Sequence, residues 1–279
     1  MDIVFERRGT GPPLVLLHGI GHRWQAWEPV FDLLAAERDV IAIDLPGFGA
    51  SPLPPPETTY DIGTAMDILG AFFAELSLGR PHIAGNSLGG LFALEAADRG
   101  LVSSATALSP AGFFTSLELR YATTTLRASW FAAGVPAPLI RLLARDPRRR
   151  KLLFGHIYGR PEQLDVETLI ADAKALRAAP GFIPMLRAGR SLTAFAGTCD
   201  RVPVTIAWGT EDRLLRQGQA VRAQQRLPGA RFVWLQDCGH VPMGDNPELV
   251  AKVLLEGSST PLLEADRPGD QGQVAKTSA

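Results

Sequence analysis

Several features of secreted, membrane-spanning and nucleic-acid-binding proteins are missing from the sequence. Its 279 residues include only two cysteines, Cys199 and Cys238, so at most one disulfide could form. Because no cationic and apolar leader precedes the first strand-like residues, we expect a reducing, cytoplasmic setting. No apolar run reaches the roughly 20 residues that span a bilayer, so no membrane span is expected. The formal net charge of −1 provides no overall field that would attract nucleic acid or an anionic membrane.

Cofactor signatures are also missing. The His, Cys, Asp and Glu residues do not recur at the spacing of metal ligands. Gly47 and Gly49 form a Gly-x-Gly pair, but the further glycine and the helix of a dinucleotide-binding loop do not follow. We therefore expect no metal and no cofactor, and we expect the partner to be a small molecule that a local pocket recognises.

The chain is long enough, and at 46% hydrophobic residues apolar enough, for one α/β domain with an insertion. Short apolar runs, typical of strands buried on both faces, alternate with helical patterns near both ends of the chain. These strand-like runs are residues 3–7, 14–17, 40–43, 82–84, 105–108, 202–208 and 231–235. Their alternation with helices predicts right-handed βαβ units and a mostly parallel central sheet flanked by helices.

The helical patterns show where the sheet is interrupted. Apolar residues at spacings of three and four predict a helix over residues 62–76, with Asp61 placed to cap it. Residues 112–198 instead carry Ala, Leu and Arg at helical spacing with several prolines and no buried strand run. We predict an α/β core, an inserted helical cap and a disordered tail rich in small and polar residues, namely residues 1–111 with 199–257, residues 112–198 and residues 258–279.

A candidate nucleophile lies in residues 85–89, Gly-Asn-Ser-Leu-Gly, between a strand-like run and a helical pattern. A serine at such a turn needs a strained backbone and neighbours without bulky side chains, which Gly85 and Gly89 provide. We therefore interpret Ser87 as a nucleophile. The backbone amide of Leu88 begins the helix and is a candidate donor to a developing oxyanion. Because Gly-x-Ser-x-Gly often occurs by chance, this interpretation depends on the rest of the chain.

Candidate partners for the serine follow later strands. Asp212 and His240 come after strand-like runs, so both are expected with Ser87 at the carboxyl edge of the sheet. His240 would act as general base, and Asp212 would fix its tautomer. Glu211 and Asp237 are alternatives to Asp212, but Asp237 would have to fold back on the histidine's own loop.

The loop at residues 18–21, His-Gly-Ile-Gly, is the candidate second half of an oxyanion hole. Gly19 and Gly21 would let the backbone turn the amide of Ile20 inward. His18 is expected to orient this loop rather than to take part in catalysis.

Together these segments resemble serine members of the α/β-hydrolase superfamily. The matching segments are residues 18–21, 44–49 (Asp-Leu-Pro-Gly-Phe-Gly), 85–90, 209–212 (Gly-Thr-Glu-Asp) and 238–240 (Cys-Gly-His). The resemblance implies the α/β-hydrolase fold, with eight or slightly fewer strands and a helical cap after the sixth strand. There is room for only one strand ahead of residue 14, which leaves open whether the family's first strand is missing.

A serine and a histidine in this fold imply acyl transfer to water through an acyl-enzyme. Our leading hypothesis is a hydrolase of carboxylic esters with small or medium apolar groups, since the predicted cap is rich in Ala, Leu and Phe. A cofactor-free perhydrolase would use the same three residues and stays open. A ligand receptor that keeps the fold without turnover is a further alternative.

Residues 85–90 also resemble the motif of hydrolases that cleave carbon–carbon bonds in ring-fission diketone acids. Such enzymes hold a substrate carboxylate with a cap arginine, for which Arg187 and Arg190 are candidates. Asn86, which precedes the serine, and Trp24, in the loop after the oxyanion segment, are further substrate-binding candidates. The basic run from Arg141 to Lys151 is expected to be a solvated helix face, with an anionic partner as the alternative.

Overall fold

The computed structural model describes residues 2–55, 57–59, 61–189 and 194–259. Within them one sheet of seven strands runs in the order β1-β3-β2-β4-β5-β6-β7. The strands are β1 (Phe5–Arg8), β2 (Pro13–Leu17), β3 (Asp39–Ile43), β4 (His82–Asn86), β5 (Ser104–Leu108), β6 (Val204–Gly209) and β7 (Arg231–Leu235). Only β1 pairs antiparallel, with β3, and the other neighbours are parallel. The predicted mostly parallel sheet is confirmed.

The sheet is covered by helices on both faces because its central strands are apolar on both sides. In β2, Val15 and Leu17 pack into one apolar cluster, and Leu14 and Leu16 pack into the other. This split follows from the alternation of side chains along a strand. The flanking helices are α1 (Glu28–Ala35) and α10 (Pro247–Gly257) on one face, and α2 (Ile62–Glu75), α3 (Leu88–Asp98) and α9 (Gln217–Arg226) on the other. Asp61 caps α2 as predicted, accepting a 2.8 Å hydrogen bond from the Thr64 amide.

Between β5 and β6 the described chain is helical. It contains α4 (Ser116–Ala132), α5 (Ala137–Ala144), α6 (Pro147–Phe154), α7 (Val166–Ala178) and α8 (Phe182–Ala188). Thr115 and Glu118 form a reciprocal capping box at the start of α4. These helices occupy the predicted insertion, and its division from the core as a separate cap stays a prediction. Most of the predicted disordered tail, residues 260–279, lies outside the described residues.

Across the described part of the chain, none of the helices combines the length and the apolar composition that crossing a bilayer requires.

Candidate active site

Ser87 joins β4 to α3 through a strained backbone. Its φ of 56° and ψ of −112° lie where residues other than glycine are rarely found. The turn is possible because a Cβ at Gly85 would lie 2.0 Å from the carbonyl oxygen of Gly89, and one at Gly89 would lie 2.2 Å from the carbonyl oxygen of Leu17. The Ser87 amide donates a 2.9 Å hydrogen bond to the Leu108 carbonyl. This strained turn between strand and helix is the backbone that a nucleophile elbow requires, and the role of Ser87 as nucleophile stays a prediction.

Asp212 and His240 follow β6 and β7 and meet at the carboxyl edge of the sheet. His240 Nδ1 lies 2.8 Å from Asp212 Oδ2, and both side chains are buried. The other oxygen, Oδ1, accepts hydrogen bonds from the amides of Leu214 and Leu215 at 2.9 and 2.8 Å. Because a carboxylate only accepts hydrogen bonds, His240 donates from Nδ1 to Asp212.

The two alternative carboxylates lie elsewhere. Glu211 is exposed and forms a 3.4 Å ion pair with Arg213. Asp237 is exposed, has a φ of 59° and pairs with Arg160. Among the described residues, Asp212 is therefore the carboxylate that holds the His240 ring.

The loop that carries His240 rests on the backbone of the inserted segment. The amide of His240 donates to the carbonyl of Ile157 at 2.8 Å, and the amide of Val241 donates to the same carbonyl at 3.1 Å. A Cβ at Gly239 would lie 2.3 Å from the backbone nitrogen of Gly159. Two glycines thus allow the segments to approach closely enough for these bonds to form.

Asp245 hydrogen-bonds both the loop that carries His240 and the inserted segment. The sequence patterns did not identify it as a site residue. Its Oδ2 accepts hydrogen bonds from the amides of Gly239 (2.7 Å) and Gly159 (2.8 Å), and its Oδ1 accepts from the amide of Arg160 at 2.9 Å. Burial raises the pKa of this carboxyl, although the three backbone bonds act in the opposite direction. The only available signal was an acidic residue between the histidine loop and the last helix, which a turn would explain equally well.

The oxyanion loop is held by His18. The ring donates from Nδ1 to the Gly19 carbonyl at 2.7 Å and accepts at Nε2 from the Leu45 amide at 2.9 Å. Burial lowers the pKa of His18 to about 3, so the ring stays neutral and keeps this acceptor. The amides of Ile20 and Leu88 donate no hydrogen bond within the described residues, which is what an oxyanion hole requires. Their role as donors stays a prediction.

Ser87 and His240 line one cavity of about 190 Å³ beside the sheet edge. Helices α4, α5, α6 and α7 supply much of its wall through aliphatic side chains, namely Leu126, Ile140, Leu143, Leu153 and Leu176, and Val135 adds to it from the connection between α4 and α5. Ser87 Oγ and His240 Nε2 form no hydrogen bond with each other in the described structure, and such bonds often tighten only when substrate binds. A larger groove of about 680 Å³, lined largely by residues 198–204 and 226–230, contains neither Ser87 nor His240.

The structure places the other substrate-binding candidates at different distances from the cavity, and their roles stay predictions. Trp24 does not line the cavity, because it packs on Phe31 with ring centroids 6.2 Å apart. Arg187 is exposed at the end of α8 and is likewise not part of the cavity wall. Asn86 does border the cavity, but its side-chain amide donates to the His240 carbonyl at 2.8 Å. Arg190 lies outside the described residues.

The basic run has a mixed role. Arg145, Arg148, Arg149 and Lys151 are exposed, as expected for a solvated helix face. Arg141 instead pairs with Glu167 on α7, and Arg150 donates to the carbonyls of residues 162 and 164. These two arginines tie α5 and α6 to the rest of the insertion.

Comparisons with known proteins agree with this fold. A sequence profile described as the alpha/beta hydrolase family matches residues 14–253. The pimeloyl-[acyl-carrier protein] methyl ester esterase of Aeromonas hydrophila subsp. hydrophila is 29% identical over 266 residues, covering 91% of this chain and 98% of that protein. The solved structure of a membrane phospholipase A, a bacterial virulence factor, is 26% identical, with a TM-score of 0.72 over 93% of this chain and 84% of that one. A thermophilic esterase from Thermogutta terrifontis, 22% identical with a TM-score of 0.69 over 91% and 92% of the two chains, shares the fold. With a profile match over most of its length and a mostly parallel sheet, the chain belongs to the alpha/beta hydrolase family.

Proposed function

We propose that this protein is a carboxylic ester hydrolase in which Ser87 is the nucleophile, His240 the general base and Asp212 the residue that orients His240. The observation that carries the proposal is the 2.8 Å contact between Asp212 and His240 at the rim of a cavity that Ser87 also lines. The Aeromonas relative, named as a methyl ester esterase, supports this reaction class.

In the proposed reaction, Ser87 Oγ attacks the ester carbonyl while its proton passes to His240 Nε2. The amides of Ile20 and Leu88 stabilise the negative oxygen of the tetrahedral intermediate. His240 then returns the proton to the departing alkoxide, which leaves an acyl group on Ser87. Water, deprotonated by His240, attacks that acyl group to form a second tetrahedral intermediate. Its collapse releases the acid while His240 returns the proton to Ser87 Oγ.

The cavity favours small or medium apolar acyl groups, because its walls are mainly aliphatic and its volume is about 190 Å³. It offers little to a diketone acid. None of the described residues that line it is Lys or Arg, so a substrate carboxylate would lose its hydration without gaining a cation. We therefore do not put forward carbon–carbon bond hydrolysis as a second function.

Hydrolysis of p-nitrophenyl esters of increasing chain length, combined with covalent labelling by a fluorophosphonate, tests the proposal. The Ser87→Ala variant is expected to lose both activities while keeping the circular dichroism spectrum of the wild type.

The matched control is Ser129→Ala. Ser129 lines the same cavity and lies 2.8 Å from His156 Nε2, so it offers a second serine beside a histidine. Labelling that survives in Ser87→Ala and disappears in Ser129→Ala would contradict the assignment. Hydrogen peroxide added to the same reaction, with the peracid detected as product, measures the perhydrolase alternative.

A further inference from the structure

A carboxylate interrupts the apolar wall that α7 presents to the cavity. Leu169, Asp172, Ala173 and Leu176 all line it, at the spacing of one helix face. Asp172 Oδ2 accepts a 2.7 Å hydrogen bond from the hydroxyl of Tyr158, which also lines the cavity. An ionised group in such a wall costs solvation free energy unless hydrogen bonds or an opposite charge compensate it. The proposed ester hydrolysis by Ser87, His240 and Asp212 does not require the Asp172 carboxylate.

Groups of the protein compensate the charge of the Asp172 carboxylate only in part. Within the described ranges, no Lys, Arg or His lies within 4.0 Å of Asp172 as an ion-pair partner. Arg23 acts electrostatically on Tyr158 but does not line the cavity. A carboxylate can accept about four hydrogen bonds, and Tyr158 provides one. The Asp172 carboxylate therefore retains acceptor capacity at the cavity wall.

His22, in the loop after β2, is a second polar side chain that lines the same cavity. Its Nδ1 is sealed from solvent without a partner among the described residues. Burial lowers the pKa of His22, while the nearby charge of Asp172 acts in the opposite direction. Burial also raises the pKa of Tyr158, so its hydroxyl keeps the proton that it donates to Asp172.

We propose that Asp172, with Tyr158 and His22 beside it, forms a polar subsite that binds a hydrogen-bond-donating group of the substrate, a hydroxyl or an ammonium group. The proposal rests on the proposed function, because it places an ester in this cavity. Either group would donate a charge-assisted hydrogen bond to the Asp172 carboxylate, and an ammonium group would add the attraction between opposite charges. A carboxylate at the same position would be repelled by Asp172.

The test compares four methyl esters that differ only at the far end of the acyl chain, which carries a methyl, hydroxyl, ammonium or carboxylate group. Chains of four, six and eight carbons cover the reach from Ser87. In the wild type, kcat/KM at the best chain length should be about tenfold higher for the ammonium or hydroxyl ester than for the carboxylate ester, a ratio that one charge-assisted bond readily produces.

Asp172→Asn keeps an oxygen for Tyr158 and removes the charge. It should reduce the kcat/KM ratio between the ammonium and carboxylate esters by about tenfold. Tyr158→Phe removes one donor and keeps the charge, so the preference should persist. Asp67→Asn, on the exposed side of α2, is the control for loss of one negative charge. If the kcat/KM ratio between the ammonium and carboxylate esters is the same in Asp172→Asn as in the wild type at every chain length, the proposed subsite is contradicted.

Binding separates this proposal from the proposed function. In the Ser87→Ala background, calorimetry measures Kd for the same esters without turnover. A preference for the ammonium or hydroxyl ester that Asp172→Asn abolishes supports the subsite even if the wild type hydrolyses nothing. Equal Kd values for all four esters contradict it even if hydrolysis is rapid.

Discussion

The carboxylate of Asp245 accepts a 2.7 Å hydrogen bond from the backbone amide of Gly239, the residue before His240. The same oxygen accepts the amide of Gly159 from the inserted segment at 2.8 Å. One buried side chain thus joins the loop of the candidate base to the segment that closes the cavity. The position of His240 is therefore expected to depend on Asp245, which does not itself line the cavity.

Asp245→Ala should lower kcat by about tenfold with little change in KM. The change leaves three backbone amides without an acceptor and lets the His240 loop shift. Each of the two buried amides, those of Gly159 and Gly239, costs about 1–3 kcal/mol. Steady-state kinetics and urea unfolding, both at 25 °C, measure the two effects separately. Asp245→Asn retains one acceptor oxygen. Its kcat and its free energy of unfolding should therefore both lie between those of Asp245→Ala and those of the wild type. Lost stability with an unchanged kcat would mean that Asp245 only supports the fold.

Asp212→Asn should reduce kcat by a factor on the order of 10⁴, as the equivalent change does in a serine protease, because the amide favours the wrong tautomer of His240. Asp237→Asn is the matched control, since Asp237 is exposed and pairs with Arg160. It should retain activity within about twofold, because an exposed ion pair contributes little. If Asp237→Asn loses activity and Asp212→Asn retains it, the orienting acid has been assigned to the wrong residue.

Gly89→Ala should unfold the protein or abolish labelling of Ser87. The added Cβ would lie 2.2 Å from the Leu17 carbonyl oxygen, so α3 could no longer approach β2. Gly70→Ala is the control, since Gly70 lies in α2 with no atom within 4 Å of an added Cβ. That change should stabilise the protein by about 0.5–1 kcal/mol, because alanine loses less backbone entropy in a helix. Urea unfolding and labelling rates check both, and a stable, fully labelled Gly89→Ala variant would exclude the tight turn.

Acidification from about pH 6.5 to about pH 4 should destabilise the fold through His82. Burial, with the positive charge of Arg38 as a smaller cause, lowers the pKa of this histidine from 6.5 to about 4. In this window the unfolded chain binds a proton that the folded chain does not, so the free energy of unfolding decreases as the pH decreases. A pKa lowered this far corresponds to a change of about 3 kcal/mol in the free energy of unfolding.

Urea unfolding of the wild type and of His82→Gln at pH 7.5 and pH 4.5 measures this contribution. Glutamine does not titrate and can still bond the Ser104 hydroxyl, which lies 2.8 Å from His82 Nδ1. The variant should therefore lose less stability between the two pH values than the wild type. Equal losses would mean that other groups account for the acid sensitivity.

Local patterns in the sequence determined most of the sheet and the elements at its carboxyl edge. Strands buried on both faces leave continuous apolar runs, and the elbow at Ser87 needs glycines at fixed positions, so both are visible without a structure. The preference for Asp212 over Asp237 also came from chain distance alone. In the structure, Asp212 hydrogen-bonds His240, and Ser87 shares a cavity with His240.

Tertiary packing decided which side chains reach that cavity. The helical pattern between residues 112 and 198 indicated helices, but it could not show which face of each helix meets the sheet edge. Packing placed Asp172 in the cavity wall and left Arg187 in solvent, and it buried Asp245 between two loops that are distant in sequence. A periodic pattern shows which residues share one face of a helix. Which residues that face contacts depends on how elements distant in the chain pack together.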